Sequence, residues 1–121
     1  MPTGKLKVWS YAKCGTCKKA LAWLDGNGIA YEQVPIVEKP PSKTKLQKLL
    51  RASGLPLKRF FNTSGMSYRQ GGFSEKLKTM TQAQAIEALA ADGKLIKRPL
   101  IEGSDFVLVG FKEAEYEAAL A

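Results

Sequence analysis

Tyr11-Ala12-Lys13-Cys14-Gly15-Thr16-Cys17-Lys18-Lys19-Ala20 is the stretch on which the reading of this chain turns. Before it, Leu6, Val8, Trp9 and Tyr11 read as a strand from Lys5 to Tyr11. After it, the spacing of Ala20, Leu21, Trp23 and Leu24 predicts a helix from Cys17 to Asn27, closed by Asn27-Gly28. The cysteines therefore fall where a strand hands over to a helix. Cys14 is placed in the turn at the helix N-terminus, where unpaired backbone N–H groups and the positive end of the helix dipole stabilise a thiolate. Such placement lowers a cysteine pKa from about 8.5 to between roughly 3.5 and 7.5. Lys13, Lys18 and Lys19 add positive charge nearby. Cys17, one turn into the helix, is expected to be more covered. That assigns attack on a disulfide or oxidised group to Cys14 and resolution of the mixed species to Cys17. Gly15 allows close backbone approach, and the Thr16 hydroxyl can donate to a thiolate or a bound oxyanion.

The totals narrow the chemistry further. A length of 121 residues fits one domain, and 45% apolar residues suffice for one packed core. Met1-Pro2-Thr3-Gly4-Lys5 lacks the apolar run of a secretory signal, and no stretch approaches the roughly 20 apolar residues that span a bilayer. The expected compartment is the cytoplasm, with no membrane partner. The chain has 2 cysteines and no histidine. A structural zinc site, which takes about four Cys or His ligands, is thereby excluded within one chain, as are Ser-His and Cys-His pairs. Any reactive cysteine must be activated by other means. A lone Cys-x-x-Cys in a reducing compartment points to thiol–disulfide exchange.

Ile29 to Val37 reads as a second strand ending at Lys39-Pro40-Pro41. Ser42 reads as the N-cap of a helix through Leu46, Leu49 and Leu50 to Gly54. Short helices in loops are expected from Leu55 to Leu77. Thr81 caps another helix, with Ala83, Ile86, Leu89 and Ala90 on its buried face and Gly93 just past its end. Pro99-Leu100-Ile101 and Phe106 to Val109 form a hairpin candidate across Gly103-Ser104-Asp105, and Lys112 to Ala121 the last helix. The pattern is α/β with a mixed sheet. The order β-α-β, helical middle, β-β-α is the thioredoxin layout: four strands, with a helical insertion over roughly residues 42–92 between the second and third. In thioredoxin-like folds the loop before the third strand faces the dithiol and usually carries a cis-proline. Pro99 fits that place, and Arg98 beside it can offer paired donors to a thiolate or an oxyanion.

The net charge of +8 is uneven: residues 1–98 hold 18 of the 19 Lys and Arg, and the tail from Pro99 holds Lys112 against five acids. A basic body with an acidic last helix can attract an anion, a nucleic acid or an acidic protein, or can be a solvated surface. The basic residues are dispersed, so direct nucleic-acid binding is not expected. Phe60, Phe61, Tyr68 and Phe73 are expected in the core rather than as stacking groups.

Tyr11 to Ala20, Lys97-Arg98-Pro99-Leu100-Ile101 and Val109-Gly110-Phe111-Lys112 resemble the family uniting glutaredoxin-coupled arsenate reductases with the Spx transcriptional regulators. Lys58-Arg59-Phe60-Phe61-Asn62-Thr63-Ser64-Gly65 is similar to an arsenate-reductase-like or Spx-like branch of it. The resemblance implies a thioredoxin-like core with a helical insertion. For a reductase it implies Cys14 as the reacting cysteine, Arg98 and Lys58 toward an oxyanion, and glutathione with glutaredoxin as electron source. For a regulator it implies a Cys14–Cys17 switch sensed by Arg98 and contact with the RNA polymerase α subunit. Arsenate reductases of the family usually have no second cysteine at the place of Cys17, and no arginine follows Arg98 here. The leading expectation is a thiol–disulfide oxidoreductase or glutathione/glutaredoxin-linked reductase with no bound cofactor, followed by a regulator and then an arsenate reductase. A monomer is expected.

Overall fold

The computed structural model describes residues 6–120. The expected strand start at Lys5 and helix end at Ala121 lie outside the described residues. Four strands, β1 (Leu6–Ser10), β2 (Tyr31–Pro35), β3 (Leu100–Glu102) and β4 (Val107–Val109), form one sheet in the order β2-β1-β3-β4. β1 runs parallel to β2 and antiparallel to β3, and β3 is antiparallel to β4. This mixed sheet is the thioredoxin-like arrangement. Pro35, which cannot donate to a ladder, ends the edge strand β2, a place proline tolerates.

The helices are α1 (Gly15–Gly26), α2 (Lys43–Ser53), α3 (Met66–Gln70), α4 (Phe73–Lys76), α5 (Gln82–Ala91) and α6 (Glu113–Leu120). By its internal contacts the chain divides into two compact units, Met1–Pro35 with Arg98–Ala121, and Ile36–Lys97.

The first unit holds the sheet, α1 and α6. α1 buries Cys17, Ala20 and Leu24, at i, i+3 and i+7 on one face. Burial of a leucine such as Leu24 contributes about 1.5–3 kcal/mol. Leu6, Val8, Ala20, Leu24, Ile101, Leu108, Tyr116 and Leu120 make its core. Tyr116 anchors α6: its ring stands edge-on to Phe111 at 4.8 Å and to Trp23 at 5.6 Å, and its hydroxyl donates to the Gly110 carbonyl at 2.6 Å. Gly28 closes α1 with φ +67, a left-handed conformation that a side chain would strain.

In the second unit, Ser42 caps α2 through its Oγ, Gly54 ends it with φ +66, and α2 packs on α5. Thr81 and Gln84 form a capping box on α5. The middle segment holds a 3-10 turn at Leu57–Phe60 followed by α3 and α4. Phe60, Phe61 and Tyr68 are buried as expected, whereas Phe73 is half-buried, its ring 5.7 Å from that of Phe61 and 6.1 Å from that of Tyr68.

One expectation needs correction. α5 buries Ala85, Ile86 and Leu89, whereas Ala83 is exposed: it lies in the first turn, away from the residues that cover the helix further on. Gly93 stands just past the end of α5, as expected. It opens a second 3-10 turn, Gly93–Leu95, and a Cβ there would fall 1.9 Å from the Ile36 carbonyl oxygen. Close backbone packing is what requires glycine at that position.

Candidate dithiol site

β1 ends at Ser10, and the backbone turns at once: the Cys14 N–H donates to the Tyr11 carbonyl at 3.0 Å. Cys14 is the N-cap of α1, with φ −97 and ψ 116, and its Sγ accepts the Cys17 backbone N–H at 3.3 Å. A sulfur thus fills the role usually taken by a Ser, Thr or Asp oxygen. The helix begins at Gly15, slightly earlier than the apolar spacing indicated, because the cap and not the first apolar residue sets the start. Both cysteines are unbridged thiols; Cys14 is half-buried and Cys17 only 1% exposed.

The surroundings push the two thiols apart in acidity. Burial acts on Cys14 upward and is the largest single influence. It is outweighed by hydrogen bonds from the Cys17 side chain and backbone and by the hydrogen bond and charge of Arg98, so Cys14 lies below its ordinary value. For Cys17, burial dominates and is reinforced by its hydrogen bond to Cys14 and the negative charge there. Against weaker opposing pulls from the Tyr11 backbone and Arg98, its thiol is pushed up to about 12.

Arg98 reaches this site from the start of the 98–121 segment. Its guanidinium carbon lies 5.0 Å from the centre of the Tyr11 ring, a cation–π contact that orients the fork beside Cys14. The Arg98–Pro99 peptide is cis, Pro99 is buried, and its carbonyl accepts the Gly110 N–H at 2.9 Å. The hairpin of β3 and β4 thereby holds the loop that carries Arg98.

The remaining expected residues divide. Gly15 and Thr16 are exposed beside Cys14, and a Cβ at Gly15 would meet nothing within 4 Å. Lys13, Lys18 and Lys19 point to solvent, and the groups acting on Cys14 are Cys17 and Arg98. Lys58 belongs to the Ile36–Lys97 unit, where with Pro56, Arg59, Phe61, Thr63 and Lys97 it lines a hollow of about 410 Å³. Sequence reasoning missed Tyr11 as the partner of Arg98. Its place at the end of the first strand, three residues before Cys14, was the available signal.

A strand-to-helix dithiol facing an Arg–cis-Pro loop, on this sheet, agrees with the ArsC family, whose model matches residues 9–119. The chain belongs to the ArsC family. YusI of Bacillus subtilis strain 168 is 50% identical over 112 residues, covering 93% of this chain and 95% of that one. The global transcriptional regulator Spx 2 of Lactococcus lactis strain IL1403 is 25% identical, over 95% of this chain and 86% of its own. Among solved structures, an ArsC family related protein from Bacteroides fragilis matches with TM-score 0.92 and 46% identity, over 95% of this chain and 97% of its own. A possible arsenate reductase from Streptococcus mutans UA159 matches with TM-score 0.88 and 38% identity, over 98% of this chain and all of its own, 100%. This ArsC family chain is thus similar both to reductase-like structures and to Spx regulators. No helix among its described residues is long and apolar enough to cross a membrane.

Proposed function

We propose that this ArsC family protein is a thiol–disulfide oxidoreductase working through Cys14 and Cys17. The observation that carries this is the split between a helix-capping Cys14 with lowered pKa and a buried Cys17 held as a thiol. The Cys14 thiolate attacks a disulfide RSSR′, forming Cys14–SR and releasing R′S⁻. Once Cys14 is capped, its negative charge no longer opposes ionisation of Cys17. Cys17 then loses its proton to the departing thiolate or to water and attacks Cys14 Sγ, closing the Cys14–Cys17 disulfide and releasing RS⁻. The substrate gains two electrons, and two thiols such as glutathione, directly or through glutaredoxin, return the pair to the reduced state as their own disulfide forms. This cycle belongs in a reducing compartment such as the cytoplasm. Arg98 and Thr16 serve the sulfur as donors.

The test is turnover of bis(2-hydroxyethyl) disulfide with glutathione, glutathione reductase and NADPH. Turnover that vanishes in Cys14→Ser is the expected result. No turnover together with no Cys14–Cys17 disulfide after mild oxidation would overturn the reading.

The likeness to Spx 2, a global transcriptional regulator, favours a second reading in which the same pair acts as a switch. A stoichiometric complex with the RNA polymerase α subunit that depends on the oxidation state, without turnover, would establish it. The Streptococcus mutans neighbour supports a third, arsenate reduction, which glutaredoxin-dependent arsenate turnover would establish.

A further inference from the structure

The division into two units separates a strongly charged stretch from a neutral one. The Ile36–Lys97 unit holds twelve Lys and Arg against four Asp and Glu, whereas the unit carrying the dithiol holds seven against seven. The whole net charge of +8 therefore belongs to the helical unit. Within that unit the hollow of about 410 Å³ is lined by Lys58, Arg59 and Lys97, together with Pro56, Phe61 and Thr63 and no acid. None of these three cations takes part in an ion pair among the described residues. Three unneutralised cations around one concavity raise the local concentration of anions and steer them inward.

We propose that the Ile36–Lys97 unit is a docking surface for an acidic polypeptide, with carboxylate side chains of the partner entering the hollow at Lys58, Arg59, Thr63 and Lys97. The surplus of eight charges exceeds what one small anion needs and suits an extended polyanionic partner. Single-stranded nucleic acid needs aromatic faces for stacking, but Phe60, Phe61 and Tyr68 are buried and Phe73 is packed against Phe61 and Tyr68. Lys58, Arg59 and Lys97 share the lining of the recess with Pro56, Phe61 and Thr63. A flexible, convex Glu or Asp side chain fits that recess, where Arg59 can fork a carboxylate and the lysines act as point charges. This inference does not depend on the chemistry of the dithiol.

The experiment measures binding of a fluorescent, N-acetylated octaglutamate to the full chain by anisotropy, from 25 to 200 mM salt. It compares the wild type with Lys58→Glu/Arg59→Glu and with Lys43→Glu/Lys48→Glu, two exposed lysines of α2 outside the hollow. Both variants change the net charge equally, and circular dichroism and melting establish that each is folded. The expected result is salt-sensitive binding weakened at least tenfold by the first variant and no more than about threefold by the second. Equal weakening would mean diffuse charge only and would overturn the docking site, as would no binding at 25 mM salt. Tighter binding of an octathymidylate than of the peptide would reassign the surface to nucleic acid.

Discussion

The backbone N–H of Cys17 donates to the sulfur of Cys14 at 3.3 Å, so the main chain of one cysteine stabilises a thiolate on the other. The contact arises because Cys-x-x-Cys spacing at a helix start matches the N-cap to N3 geometry that Ser and Thr caps use. The same three-residue offset puts the Cys17 side chain on the buried face of α1. Unequal acidity and unequal access follow from that single placement.

Cys14 should titrate below an unperturbed thiol, and Arg98→Ala should raise its pKa. Each unit of rise lowers the thiolate fraction about tenfold at pH values below the pKa. Iodoacetamide alkylation of Cys14, followed by mass spectrometry across pH 5–9, reads this directly. Arg98→Lys should fall between wild type and alanine, since it keeps the charge and loses the fork. An unchanged pKa in both variants would separate Arg98 from the sulfur.

The lowered Cys14 pKa also links to stability. Its folded value lies below its unfolded one, so the contribution is present above the unfolded pKa and is lost as pH falls through the folded pKa. Cys17 has the opposite sign. Pushed up to about 12, it is protonated when the unfolded chain ionises, so stability is fully present below the ordinary thiol value of 9.0 and falls as pH rises toward 12. Urea midpoints of Cys17→Ala should therefore decline less than wild type above about pH 9.

Cys17→Ser should trap the mixed disulfide. With 5-thio-2-nitrobenzoate or glutathione as the leaving or bound thiol, intact mass should show a stable adduct on Cys14, which wild type loses by closing Cys14–Cys17. A wild type that retains the adduct as long as the variant would remove the resolving role.

Tyr116→Phe leaves the Gly110 carbonyl without its buried donor and should cost about 1–3 kcal/mol in urea unfolding. Tyr116→Ala, which also empties the space beside Trp23 and Phe111, should cost about 3–5 kcal/mol.

Gly93→Ala places a Cβ against the Ile36 carbonyl oxygen, which is rigid backbone. Overpacking of this kind costs about 1–3 kcal/mol or more. Gly15→Ala, with open space around the added methyl, should leave the urea midpoint within about 0.5 kcal/mol. A similar loss for both would mean that Ile36 does not constrain residue 93.

By itself the sequence determined what short-range chemistry decides. Cys14, Ser42 and Thr81 cap their helices because each side chain reaches an N–H three residues away. Gly28 and Gly54 end α1 and α2 because only glycine takes positive φ freely. The hairpin of β3 and β4 was legible in Gly103-Ser104-Asp105 between two apolar runs. Tertiary structure alone decided the rest. Placing β1 between β2 and β3, which brings Arg98 beside Cys14 and onto Tyr11, depends on partners more than eighty residues apart in the chain. The choice of Ala85 over Ala83 for burial, and the need for glycine at residue 93, rest on what packs from elsewhere in the chain. The charge of +8 on Ile36–Lys97 lies in one unbroken stretch of sequence, but the neutral unit beside it arises only because the fold joins residues 1–35, at +3, with residues 98–121, at −3. Caps and turns are settled within a few residues, whereas strand order and close packing are settled by burial across the whole chain, which no local pattern encodes.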